Sequence, residues 1–456
     1  MNASLYARFA LFALFALGCS PAAVDYSSLR SAAEARQRAA GAALAPHDAT
    51  VQSLLARPLT AESAAGIAIL NNRGVRAEAE KLGIAESLAT HARRLPNPTL
   101  EGAVKFRGGE DPELELGAMI DLTDLLLLPS RSGAAGAEVD AAKLEAVGAI
   151  VDVSFEARRS FYTYQAAAEL LELRRTVFAA FEASADLAKR LREAGNVTEL
   201  DFANQQALFE EARLDVRTAE IELTKAREAL RALLGLWGNA EWKAPSRLEA
   251  PPERELDVKQ LENAAIRASL DLSIARQRFG AAARRADVAR IEGFLPELKA
   301  GVAAERDDEW AVGPAVELEV PLFYQGQGEV GAAKAEMRRE QELYADAAVG
   351  IRAAARSTAF ELGERRESAL YYRKVLLPLK QKVVEQTELE YNAMLIGLFQ
   401  LLEAKRDQVR TAASYVQALR DYWISRADAE QLLAGRRAPG RARSSAPSAR
   451  EIESGH

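Results

Sequence analysis

Two stretches of this chain, offset by roughly 200 residues, carry the same signals in the same order. Leu95-Pro96-Asn97-Pro98-Thr99-Leu100 is answered by Phe294-Leu295-Pro296-Glu297-Leu298. Leu114-Glu115-Leu116-Gly117-Ala118-Met119-Ile120-Asp121-Leu122 is answered by Ala315-Val316-Glu317-Leu318-Glu319-Val320-Pro321-Leu322. Arg192-Glu193-Ala194-Gly195 and Tyr391-Asn392-Ala393-Met394 each precede a long helical run. Those runs close on Ala232-Leu233-Leu234-Gly235 and Gln431-Leu432-Leu433-Ala434-Gly435. Each copy reads helix, strand, strand, long helix, long helix. A repeat this long is one architectural unit used twice. Neither copy holds a nucleophile–His–acid set, a phosphate-cradling glycine loop or paired-Cys zinc spacing, so the expectation is no enzyme and no cofactor, with function residing in shape.

Hydrophobic periodicity assigns the elements. Helices are expected over about 60–91, 134–194, 199–236, 257–293, 328–393 and 398–434, with Pro378 kinking or splitting the fifth. Strands are expected over 99–107, 113–122, 297–306 and 314–323. In the second, Leu114, Leu116, Ala118, Ile120 and Leu122 alternate with Glu113, Glu115, Gly117, Met119 and Asp121. At nine or ten residues these strands have the length of transmembrane β-strands. Four strands do not close a barrel, and an open edge in lipid strands its backbone donors and acceptors, so closure needs other chains. The helices carry heptads: Leu200, Ala207, Leu214 and Ile221; Ala212, Ala219, Ala226 and Leu233; Leu402, Val409, Val416 and Trp423. Two seams on one helix let it pack neighbours on both sides, as in a closed cylinder.

A net charge of −7 gives no reason to expect nucleic acid as a partner. Arg8 and the apolar run Phe9–Leu17 read as an export signal too short to span a bilayer. Ala16-Leu17-Gly18-Cys19-Ser20 resembles a lipoprotein cleavage box, which makes Cys19, the only cysteine, the expected lipidation site. Residues 1–18 are then signal peptide and 19–58 a lipidated lead segment. Residues 59–237 form the first repeat, 238–256 a Pro-rich linker and 257–435 the second repeat. Residues 436–456, rich in Arg, Ser and Pro, are an expected disordered tail. His47, His91 and His456 lie far apart and Met119, Met337 and Met394 form no cluster, so no metal site is expected. Trp310, in the expected second strand-joining loop, either anchors at a membrane interface or caps that loop.

The duplication, Leu95-Pro96-Asn97-Pro98, Val320-Pro321-Leu322-Phe323 and the run from Tyr391 to Ala404 together resemble the TolC-like outer-membrane efflux proteins. Asn71-Asn72 and the Leu-Pro-Asn-Pro lead-in resemble the heavy-metal CzcC- and CusC-like branch. The resemblance covers about 60–435. It implies a mainly α protomer with four transmembrane strands that completes a 12-stranded β-barrel and a hollow α-barrel as a homotrimer. Localisation would be the outer membrane, reaching into the periplasm, with outer-membrane lipid, a periplasmic adaptor and an inner-membrane pump, expected to be of the RND type, as partners. The turns Gly195, Asn196, Val197, Thr198 and Met394, Leu395, Ile396, Gly397 would form the adaptor-docking tip, a reading compatible with plain helix-hairpin turns. Where the family has Gly, this chain has Met394. Carried over residue by residue, the periplasmic gate falls on Gln400 and Glu403 in the second copy and Asp201 and Asn204 in the first. Glu403 either faces a lumen or is a solvated helix carboxylate. The implied function is the exit duct of a tripartite efflux system. A duct for type I protein secretion shares every feature above, whereas a non-pore coiled-coil scaffold has no use for four lipid-length strands.

Overall fold

Each half of the chain opens with a helix broken at a single residue. The computed structural model describes residues 23–106, 112–238, 241–245, 247–253, 256, 260–295, 297–306, 309–319 and 322–438, without the side chains of Leu398 and Phe399. After α1 (Tyr26–Ala39) and α2 (Val51–Leu55) come α3 (Ala61–Asn71) and α4 (Arg73–Arg93), separated by Asn72. In the second half α7 (Leu261–Ala268) and α8 (Leu270–Phe294) are separated by Ser269. Asn72 and Ser269 share one extended conformation, with ψ of 118° and 119°. Sequence periodicity predicts one continuous helix at each place, because a one-residue break leaves the apolar pattern almost in phase.

Tertiary hydrogen bonds explain the breaks. Helix α6 (Glu199–Leu233) ends at Gly235, whose φ is 64°. Asn71 donates its amide to the carbonyls of Leu234 and Gly235 (3.0 and 2.6 Å), and Asn72 donates to Leu233 (2.9 Å). In the second half α11 (Leu398–Leu433) ends at Gly435, with φ 103°, and the Leu270 amide donates to its carbonyl at 2.9 Å. Each break thus satisfies carbonyls that a helix C-terminus leaves without partners.

The chain divides into two units. The first holds Ala77–Ala146 and Leu272–Ala347 and contains one antiparallel sheet in the order β1 (Thr99–Lys105), β2 (Glu113–Asp121), β3 (Glu297–Arg306), β4 (Trp310–Glu319). Strand β4 starts about four residues earlier than its alternation suggests. Its register against β3 runs from Glu297↔Glu319 to Arg306↔Trp310, so pairing with Arg306, not hydrophobicity, sets its start. Trp310 is therefore the first strand residue and not part of a loop. Leu322 and Phe323 lie beyond the strand, and Val320 and Pro321 fall outside the described residues.

Helix α5 (Leu122–Glu193) begins directly after β2, twelve residues earlier than the Pro-Ser-Gly-rich stretch around Pro129 suggests. Asp121 caps it, accepting from the Asp124 amide at 2.9 Å, and the Thr123 hydroxyl accepts from Leu298 of β3 at 2.9 Å. The sheet thus fixes the first turn, and the helix absorbs the one donor that Pro129 lacks.

The second unit holds Ser28–Arg76, Val147–Asp271 and the chain from Ala348 on. It contains two antiparallel helical hairpins. In one, α5 meets α6 through stacked Phe178 and Phe209 (centroids 5.4 Å), Ser184–Gln205 (2.8 Å) and Arg174–Asp215 (2.7 Å). In the other, α10 (Leu377–Asn392) meets α11 through Lys380–Asp407 (3.1 Å) and Glu388–Lys405 (2.7 Å). Helix α9 (Gln327–Tyr371) passes into α10 through a π-helical turn, Tyr372–Leu376. Pro378 has no amide hydrogen and would clash with the carbonyl four residues back. The wider turn accommodates it without ending the rod. The halves join where Tyr162 of α5 stacks on Trp423 of α11 (5.3 Å), above a cluster of Ala166, Ala369, Val416 and Leu419.

The expected tail begins with a fixed residue. Arg436 donates to both Asp152 (2.6 and 3.0 Å) and Asp271, and these carboxylates hold its guanidinium fully charged despite its burial. Residues 439–456, like 1–22 with Cys19, lie outside the described residues.

Candidate functional site

In an antiparallel sheet, residues directly opposite share a face. The register therefore sorts the four strands at once. Leu100, Val104, Leu114, Leu116, Ala118, Ile120, Leu298, Ala300, Val302, Ala304, Trp310, Val312, Pro314, Val316 and Leu318 lie on one face. Arg306, at the hairpin end, is its only charge among the described residues. The other face carries Glu101, Lys105, Glu113, Glu115, Glu297, Lys299, Glu305 and Glu317, separated by Gly117, Gly301, Ala303 and Gly313. The apolar face is uncovered within the chain: Leu100 is 81% exposed and Val312 and Val316 are each 69% exposed. An apolar face of this extent needs a nonaqueous partner.

On the polar face the register brings together carboxylates that the sequence separates. Glu115 stands opposite Glu305, and with Glu113 their oxygens lie within 4.8 Å of one another, an arrangement that could hold a cation. Lys105 donates to Glu115 beside them. Sequence reading noted Glu113 and Glu115 only as alternating polar positions, because nothing local links them to Glu305. Lys299 bridges Glu297 (3.1 Å) and Glu317 (3.3 Å) lower on the same face.

The two turns expected as a tip have a common backbone design. After α5, Gly195 donates to the Arg192 carbonyl (2.9 Å) and Asn196 to Leu191 (2.8 Å). After α10, Met394 donates to Tyr391 (2.9 Å) and Leu395 to Glu390 (2.9 Å). This paired closure puts one residue in the left-handed region, φ 73° at Gly195 and 59° at Met394. Val197 and Ile396 are half-buried, while Asn196, Thr198, Leu395 and Gly397 are exposed.

The four gate positions divide by task. Asp201 and Gln400 serve the starts of their helices. The Thr198 hydroxyl donates to the Asp201 carboxylate (2.7 Å) and accepts from its amide (3.1 Å), and the Gln400 carbonyl oxygen accepts from the Gly397 amide (2.7 Å). Asn204 and Glu403 are exposed. The gate expectation for Asp201 and Gln400 thus coexists with a capping role that sequence reading did not assign them. The returning helices are neighbours: Arg406 of α11 pairs with Glu211 of α6 at 3.3 Å.

Comparison with known proteins agrees with this arrangement. Residues 64–236 match the family described as Outer membrane efflux protein. The chain is 26% identical over 383 residues to the cobalt-zinc-cadmium resistance protein CzcC of Cupriavidus metallidurans, covering 80% of this chain and 87% of that protein. The crystal structure of CusC superposes with a TM-score of 0.67 at 18% identity, covering 82% of this chain and 92% of that one. The open state of the Neisseria gonorrhoeae MtrE outer membrane channel gives 0.67 at 18% identity, covering 82% and 89%. The outer-membrane channel OprN gives 0.68 at 17% identity, covering 84% and 92%. At these identities the structural likeness is one of fold.

Proposed function

We propose that this chain, a member of the outer membrane efflux protein family, is the passive exit duct of a tripartite efflux system. Three copies contribute four strands each to one β-barrel in the outer membrane, and their long helices form a hollow conduit through the periplasm. The observation that carries this reading is the sorting of the sheet into one uncovered apolar face and one charged, glycine-bearing face. A lipid-facing outside and a water-filled inside require that division, and barrel closure removes the edges of β1 and β4. The turns at Gly195–Thr198 and Met394–Gly397 dock a periplasmic adaptor, which couples the duct to an inner-membrane pump. Cys19, once lipidated, anchors the N-terminus in the outer membrane. Exposed Glu403, repeated by threefold symmetry, lines the periplasmic constriction and favours cations. The relative named for cobalt, zinc and cadmium resistance points to divalent cations as cargo. A strain lacking this protein should then lose tolerance to at least one of these metals, and the purified protein should conduct ions across a planar bilayer as a trimer. Conductance with unaltered metal tolerance rejects the cargo, and absence of conductance rejects the duct.

A further inference from the structure

Among the described residues, no ion pair or hydrogen bond answers the carboxylate of Glu62, although it is half-buried. The Thr60–Ser63 capping box fixes the first turn of α3 and Glu62 with it. Glu62 lines two adjoining crevices of about 160 and 200 Å³, and Tyr162 of α5 and Trp423 of α11 line both with it. These residues all belong to the second unit. The Tyr162 hydroxyl likewise has no hydrogen-bond partner among the described residues. Burial raises its pKa, against the pull of Arg158, so the hydroxyl stays a donor. Arg158 and Arg426, which also line the larger crevice, are committed to the Ala43 carbonyl and to Glu430.

A third unanswered group comes from the stretch between the repeats. Gln165 donates to the Pro245 and Arg247 carbonyls (3.1 and 2.7 Å), and the Leu248 amide donates to Glu169 (2.9 Å). The Trp423 indole donates to the Glu249 carbonyl (2.8 Å). The backbone is thus pinned on both sides of Arg247, which lines the smaller crevice. Its guanidinium has no ion-pair or hydrogen-bond partner among the described residues, and it does not pair with Glu62. The fold therefore holds a carboxylate, a guanidinium and a hydroxyl at one crevice without joining them.

We propose that this crevice binds a small zwitterion of the α-amino-acid class. Its ammonium group meets Glu62, its carboxylate meets Arg247 and the Tyr162 hydroxyl, and a short side chain rests on the stacked rings of Tyr162 and Trp423. A cation alone leaves Arg247 unanswered, and an anion alone leaves Glu62 so. A guest carrying both charges close together answers both. The crevice is too small for a long side chain. Occupancy ties α3, α5, α11 and the stretch between the repeats to one another.

The test uses the full chain in detergent with L-alanine as the probe. Titration calorimetry should show saturable binding, and the thermal midpoint should rise with L-alanine concentration. Ethylammonium and propionate each carry one of the two charges and should bind about tenfold more weakly, while L-tryptophan should be excluded by size. Glu62→Gln and Arg247→Gln should each weaken L-alanine binding about tenfold with little change in the midpoint of the free protein, because neither side chain has a partner to lose. Tyr162→Phe keeps the ring stack and should weaken binding by a smaller factor. Absence of saturable heat from L-alanine overturns the site. Undiminished binding in Glu62→Gln and Arg247→Gln places any binding elsewhere and overturns it too. Ethylammonium binding as tightly as L-alanine leaves a plain cation site and overturns the zwitterion.

Discussion

Gly195 and Met394 occupy the same left-handed position in the two helix-ending turns, with φ of 73° and 59°. Glycine takes this conformation freely, whereas a side chain meets its own carbonyl there at a cost of about 1–2 kcal/mol. Met394 is 92% exposed, so packing does not offset that cost within the chain. Met394→Gly should therefore slow local opening of the 391–397 turn, raising hydrogen-exchange protection at Leu395 about fivefold, and Gly195→Met should do the reverse at Asn196. Impaired export in an otherwise more protected Met394→Gly variant would show that the methionine side chain is kept for an adaptor contact.

Adjacent residues of β3 report the two faces of the sheet. Val302 lies on the apolar face and Ala303 on the polar one. Val302→Lys should cost about 2–4 kcal/mol of insertion free energy if it faces the bilayer interior, whereas Ala303→Lys should cost under about 1 kcal/mol. Folding titrations into phosphatidylcholine vesicles measure both. Equal costs would mean that the apolar face does not meet lipid.

Glu403 and Asp201 should separate in function. Glu403→Ala should reduce cation preference in planar-bilayer recordings with little change in trimer stability, because no neighbouring cation depends on it among the described residues. Asp201→Ala additionally removes the bond from the Thr198 hydroxyl and should cost about 1 kcal/mol of local helix stability. Asp201→Asn should restore the helix start but not any selectivity. Unchanged selectivity in Glu403→Ala would assign the carboxylate to the outer, solvated surface.

The joint between α5 and α11 should strengthen in mild acid. Burial pushes the Glu430 carboxyl above the ordinary range, against the pull of Arg158 and Arg426, and burial likewise raises Asp428 beside Arg159. A folded state that holds a proton to higher pH than the unfolded chain is favoured below the unfolded value and loses that advantage as pH rises through the folded one. The thermal midpoint should therefore fall as pH rises from just above the ordinary carboxylate range toward neutrality. Glu430→Gln with Asp428→Asn should flatten the slope, and an unaltered slope would place its origin elsewhere.

Mass spectrometry of the mature N-terminus should show a diacylglyceryl-modified Cys19. A free N-terminus at any other residue would end that assignment.

The sequence by itself determined the repeat, the order of its elements, the alternation of the strands and the turn sites, because each depends on local periodicity or on glycine at a helix end. Gly235 and Gly435 marked their helix ends before any fold was known. Tertiary structure decided what depends on distant partners. Asn72 and Ser269 break helices because the ends of α6 and α11 arrive there with carbonyls to satisfy. Strand β4 begins at Trp310 because Arg306 is its partner. Glu305 reaches Glu113 and Glu115 only through strand pairing across almost two hundred residues. Repetition in a sequence says that two halves fold alike. What the halves cover in each other follows only from packing one against the other, since Tyr162 and Trp423, far apart in sequence, meet only in the folded chain.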